Sequence, residues 1–290
     1  MADSLAPRTR LSDTIKSMND GLVQRKKSVE TTRKFIEPLL KSGGLDDIRI
    51  LQTAHSKLEL QSLTTIGLES ERISLCEQLQ AAAAEARREV RNRVINELHS
   101  LFNESDVRLE VLSETPPTLS IPPFTVELDV PQGLARILYA RSVVTEVALA
   151  AEAIFEARTQ AMGWIRERAV ESSAFFDKLR VAYQMLLVEF GGQVGDRIDL
   201  VDLFAPLTLL QVERSNWRKM NFSKLADFPR YLLSYQLSRL RRDGLLEKSG
   251  WRLELGTATG GSTKNKANVL YVPHSTNDGQ YYLSLRFTEK

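Results

Sequence analysis

Between residues 231 and 242 the chain places Tyr231, Tyr235, Ser238, Arg239 and Arg242 on one side of a helix that turns about 100° per residue, with Leu233, Leu237 and Leu240 on the other. Arginine can donate to phosphate oxygens or to a guanine edge, and tyrosine and serine hydroxyls reach phosphates. Further on, the run GTATGGSTKNKAN (residues 256–268) carries Lys264 and Lys266. Backbone amides and lysines in a glycine-rich loop suit contact with a phosphate backbone. The chemistry these seven side chains offer is non-covalent: they grip a polyanion, and DNA is the expected partner.

Other chemistries find less footing. The three histidines, His55, His99 and His274, are scattered, and Cys76 is the sole cysteine, so no zinc-ligand spacing exists. The glycines of 256–261 are not followed directly by the Lys-Ser/Thr pair of a nucleotide-binding loop, and the strand-loop-helix context is missing. No Gly-x-Ser-x-Gly, paired-histidine or nuclease-like acidic motif stands out. Asp46-Asp47 and Asp196/Asp199 read as a helix start and a loop. The expectation is a protein without enzymatic activity, metal or cofactor, with Cys76 a buried, inert thiol.

The elements that would position the basic residues are legible in outline. A helix should begin near Ser172-Ser173 and stop at Gly191-Gly192. Asp227-Phe228-Pro229 forms a turn ahead of a helix over 230–243, which Gly244 ends. Alternating segments at 251–255, 269–272 and 281–287 predict strands, the last entered through an Asn277-Asp278-Gly279 turn. With residues 223–226 as a short preceding helix and 256–268 as a basic loop between strands, residues 175–287 resemble the winged helix-turn-helix superfamily. That resemblance implies that 230–243 is a recognition helix and 256–268 a wing.

The rest of the chain reads as helical. Residues 1–10 are expected to be disordered. Ile15, Met18, Leu22, Val29, Ile36 and Leu40 mark a first helix, stopped at Ser42-Gly43-Gly44. A second could run from Leu45 to about Leu101, with a narrow seam of Leu75, Leu79, Ala82, Ala86, Val90, Val94, Leu98 and Leu101. Prolines and alternation over 105–131 predict short strands or an irregular connector. From Leu134 a third helix is expected through Ile137, Val144, Ala148, Phe155 and Ile165. The expected fold is mainly α: a long antiparallel helical hairpin or elongated helical bundle with a small strand-containing tip over 11–171, the alternative being a compact bundle of shorter helices with breaks near Gly67 and Gly163. A C-terminal α+β winged-helix domain over 172–290 follows.

Net charge is only +2 over 290 residues, but residues 213–290 hold 14 Lys/Arg against 7 Asp/Glu. A basic module on a slightly acidic body points to a polyanion for that module alone. The lone cysteine and the lack of a long apolar run point to a cytoplasmic protein with no membrane partner. The functional expectation is DNA binding through the C-terminal module. Helices 45–103 and 134–170 would serve self-association or a protein partner. The alternative is a kleisin-like accessory subunit of an SMC-type ATPase assembly or of an anti-phage defence complex, with the winged helix on protein.

Overall fold

The computed structural model describes residues 5–103, 107–212, 228–261, 265–275 and 278–289, with residues 5–11 described by backbone alone. The chain divides into two compact units. One comprises residues 1–96 and 130–133, the other residues 97–129 and 134–290.

The first unit is helical. Helix α1 (Leu5–Ile36) is followed by a short 3-10 turn (Glu37–Leu40), α2 (Ile48–Glu59), a second 3-10 turn (Thr64–Ile66) and α3 (Glu69–Phe102). Asp47 caps α2, its carboxylate accepting the Arg49 N–H at 2.8 Å. That bond, with the Arg49 charge beside it, holds the Asp47 carboxyl below its usual range. The helix expected over 45–101 is therefore two helices. Between them Gly67 takes φ +73°, which closes the turn. Glu69 accepts the Leu63 N–H at 2.6 Å and pairs with Arg72 at 2.6 Å. Leu39, Leu51, Ala54, Leu58, Cys76, Leu79 and Ala83 form the small core. Burial pushes the Cys76 thiol up, against the pull of Arg72.

The second unit holds two antiparallel sheets. The first is a meander in sequence order: β1 (Glu110–Glu114), β2 (Pro117–Ile121), β3 (Phe124–Asp129), β4 (Leu134–Tyr139) and β5 (Ser142–Ala148). Phe124, Val126 and Leu128 are buried from β3, and Ala135 and Ile137 from β4. The register then shifts between Ile137 and Leu138, and Leu138 and Tyr139 are buried as well. Helix α4 (Ala151–Arg168) lies on β4 and β5 and buries Ala151, Ile154, Ala157, Ala161 and Ile165. The third long helix expected from Leu134 is thus wrong over its first half: 134–148 is a β-hairpin, and the helix starts at Ala151.

The second sheet follows α5 (Ser172–Phe190). It contains β6 (Ile198–Asp199), β7 (Glu247–Lys248), β8 (Trp251–Thr257), β9 (Leu270–Pro273) and β10 (Gly279–Glu289). Its order is β6-β10-β8-β7, with β9 also on β10. Two helices, α6 (Phe204–Gln211) and α7 (Arg230–Arg242), lie between β6 and β7 in sequence. The core joins α5, α6, α7 and the sheet through Phe176, Tyr183, Leu207, Leu233, Leu237, Leu285 and Phe287, among others.

The expectations of a mainly α fold, a long helical hairpin and a terminal winged helix do not hold. Helix accounts for 55% and strand for 22%, in an α+β arrangement of N-terminal helices and two five-stranded sheets. A winged helix needs its recognition helix free on one face. Here α7 packs against α4, α5, β5 and β9, and Tyr139 stacks edge-on against Tyr235 with ring centroids 5.8 Å apart. The face read as free is covered at Tyr235 and Ser238, while its C-terminal end around Arg242 stays exposed. The expected short helix at 223–226 and the basic stretch at 214–219 lie outside the described residues. Among the described residues, no helix is long and apolar enough to cross a membrane.

Tyr139 reports on this packing. Burial pushes its phenol up to about 12, helped by Tyr235 and opposed by Arg242 and Ser238. A folded-state pKa above the ordinary 10.0 means that the stabilisation is complete below pH 10 and is lost as pH rises towards 12. Urea unfolding of Tyr139→Phe at pH 8, 10 and 11 is therefore expected to show a shallower alkaline loss of stability than the parent protein. Parallel curves would place Tyr139 in solvent.

Candidate anion-binding cleft

The turn between β4 and β5 has two residues, Ala140 and Arg141, and both sit at positive φ, 49° and 63°. Two-residue hairpin turns of this kind normally use Asn or Gly, because a Cβ is disfavoured there. Here the strained turn places Arg141 beside the second sheet. Its guanidinium carbon lies 4.6 Å from the Tyr271 ring centroid and 5.2 Å from that of Tyr281. One terminal nitrogen donates to the Tyr281 hydroxyl at 3.1 Å.

Tyr271 on β9 and Tyr281 on β10 are directly opposed cross-strand partners, with ring centroids 5.1 Å apart. Gly279, two residues before Tyr281, is needed beside them: a Cβ there would come within 2.7 Å of the Tyr271 ring and hydroxyl. An arginine stacked on two rings is held at little further entropic cost, and its remaining N–H donors stay free for a ligand.

Opposite this pair, Arg230 at the start of α7 shapes the other wall. Its guanidinium donates to the carbonyls of Lys266 at 3.2 Å, Ala267 at 2.9 Å and Val269. Asn265 caps the same short turn by accepting the Ala267 N–H at 3.1 Å. Burial pulls Arg230 below its ordinary value, yet three carbonyl partners suit only the cation. Arg230 is thus committed to the fold, and its work is to present Lys266, whose side chain is exposed.

Together these residues enclose a cleft of 410 Å³, lined also by Thr118, Thr125, Glu127 and Ser142 from the first sheet. That volume suits a nucleotide-sized ligand, within the roughly 300–1,000 Å³ of ordinary ligand sites. Arg141 and Lys266 offer charge, Thr118, Thr125 and Ser142 offer hydroxyls, and Tyr271 and Tyr281 offer rings. Glu127 adds one acceptor carboxylate. It discriminates against a bare anion and in favour of a ligand that also carries an amine or hydroxyl donor. Among the described residues, no three His, Cys, Asp or Glu side chains gather as metal ligands would.

Of the six described residues among the seven singled out in the sequence, Lys266 alone lines this cleft. Tyr231 is half-buried against the second unit's core. Tyr235 faces Tyr139, and Ser238 donates to the Pro273 carbonyl at 2.7 Å. Arg239 pairs with Asp243 at 3.5 Å and reaches the Val170 carbonyl at 3.4 Å. Arg242 is the exposed member, its side chain 69% accessible and 3.7 Å from Asp243. Lys264 lies outside the described residues. The sequence reading missed Arg141, Tyr271 and Tyr281. Tyr271 and Tyr281 flank the recognisable Asn277-Asp278-Gly279 turn and could have been paired across it. Arg141 had no local signal.

No family model matches the chain. No curated protein and no solved structure is similar to it at a significant level.

The left-handed turn gives a direct check. Ala140→Gly relieves the Cβ strain at φ 49° and is expected to raise unfolding stability by about 1 kcal/mol in urea titrations. A loss of stability would mean that the turn is not of this type.

Proposed function

We propose that the protein is a non-enzymatic DNA-binding protein that holds single-stranded DNA in the cleft between its two sheets. The observation that carries this reading is Arg141, fixed over Tyr271 and Tyr281 with donors to spare and with Lys266 exposed on the facing wall. Cations that track a phosphate backbone, combined with aromatic rings, are the usual means of gripping an unpaired strand, and here Tyr271 and Tyr281 are half-buried in the cleft wall. A cleft of this volume suits one phosphate with its sugar and base. Glu127 supports a nucleic-acid ligand over a simple polyanion, since a carboxylate can accept from an exocyclic amine of a base. The local excess of basic residues over 213–290 adds long-range attraction for the same ligand.

Fluorescence anisotropy with a short labelled oligodeoxycytidylate, whose bases carry an exocyclic amine, and with the same strand in a duplex, tests this. The single strand is expected to bind more tightly. Arg141→Ala should weaken it roughly ten- to a hundredfold, the cost of about 1.5–3 kcal/mol for a charged hydrogen-bonding partner. Lys266→Ala should have a smaller effect and reduce the salt slope by about 0.7. Arg242→Ala on the exposed side of α7 should leave affinity nearly unchanged. Tighter duplex binding, or an Arg141→Ala protein that binds as well as the parent, would overturn the proposal.

A further inference from the structure

The cleft has two chemically unlike ends. Arg141 lies in the turn after β4, whereas Glu127 lies within β3, directly across from Arg136 of β4. Tyr139 ends β4 three residues beyond Arg136, roughly 10 Å at ~3.3 Å per residue, and the turn follows it. The cation and the carboxylate of the first sheet are thus set apart by about the length of a nucleotide from phosphate to base edge. Among the described residues they do not pair with each other.

Glu127 is not spent elsewhere. Its neighbour Arg136 is taken by Glu146 at 3.0 Å and by Asp129 at 3.3 Å. The hydrogen bond from Glu146 is the main cause that holds Arg136 above its ordinary value, and the charge of Glu127 adds least. Among the described residues the half-buried Glu127 carboxylate makes no hydrogen bond. Thr118, its partner on β2, gives its hydroxyl proton to the Pro116 carbonyl at 3.0 Å and can therefore only accept. Thr125, two residues before Glu127 and on the same face of β3, lines the cleft with a hydroxyl that can donate.

An ionised carboxylate has two acceptor oxygens and no donor. Of the four DNA bases, only guanine presents two adjacent donors on its pairing edge, N1–H and the N2 amine, with the O6 acceptor beside them. Cytosine and adenine set one amine next to a ring-nitrogen acceptor, which a carboxylate repels. Thymine sets one N–H between two carbonyls. In a single strand this edge is free to be read.

We infer that Glu127 makes the cleft selective for guanine. The phosphate lies at the Arg141 end, the Glu127 carboxylate accepts from N1–H and the N2 amine, and Thr125 donates to O6. The assignment rests on the cleft being the single-strand site proposed above, and it names the base that the site takes.

Fluorescence anisotropy of the full chain with three labelled strands tests it: one of cytosines alone, one with a single central guanine, and one with hypoxanthine at that position, which lacks only the N2 amine. The guanine strand should bind about fivefold or more tightly than the cytosine strand, the low end of what one bidentate base contact discriminates. Hypoxanthine should lose part of that advantage, and Glu127→Gln should lose all of it. Equal binding of the guanine and cytosine strands overturns the inference and leaves the single-strand reading standing. A parent protein that binds none of the three overturns both. A guanine advantage that survives undiminished with hypoxanthine, or in Glu127→Gln, assigns the selectivity to other groups and equally overturns it.

Discussion

The tip of the β4–β5 hairpin decides what the second unit can do. Tyr139, the last residue of β4, is buried against Tyr235 of α7, and Arg141, two residues on, lies across Tyr271 and Tyr281. One turn therefore fastens the first sheet to both a helix and a strand pair of the second. Three consequences follow from it. The surface of α7 around Tyr235, which would otherwise face solvent, is occupied. The walls of the cleft are brought to within reach of one ligand. And the cation of that cleft is oriented before any ligand arrives.

Preorganisation is the theme of the local energetics. Arg141 is held by two rings and a hydroxyl, and among the described residues no carboxylate pairs with it. Arg230, in the same cleft, is the opposite case: it donates to three backbone carbonyls. The two arginines line one cleft yet divide the labour, one shaping a loop and the other left for a ligand. Elsewhere the unit ties its basic residues down. Arg286 grips Glu254 at 2.7 Å, Lys248 holds Asp177 at 2.6 Å, and Arg241 donates to the Tyr282 hydroxyl at 2.7 Å. Among the described residues most of the basic side chains near the C terminus are thus tied to the fold, which sharpens the significance of those that are not.

Much of the local structure was legible in the sequence, and the reasons are local. Gly191 and Gly244 end their helices with left-handed φ of 66° and 69°. Leu233, Leu237 and Leu240 are buried as their spacing requires, and residues 124–128 alternate as a half-buried strand does. What was not legible depended on long-range contact. Leu134, Ile137, Val144 and Ala148 step compatibly with a helix, and the hairpin they form turns on Ala140 and Arg141, neither of which signals a turn. Likewise, periodicity marks one face of α7 as apolar but is silent on whether Tyr235 and Ser238 opposite meet solvent or protein. They meet Tyr139 and the Pro273 carbonyl. Arg141 contacts rings 130 and more residues further along the chain, a relation that no window of sequence contains.

Because the hairpin tip both closes α7 and builds the cleft, the location of a bound strand tests the whole account. Photo-cross-linking of a bromouracil-substituted single-stranded oligonucleotide to the intact protein, followed by peptide mapping, reads that location. The account expects adducts at Tyr271 or Tyr281, lost in Arg141→Ala. Adducts concentrated instead on the exposed face of α7 around Arg242, with none between residues 271 and 281, would contradict it.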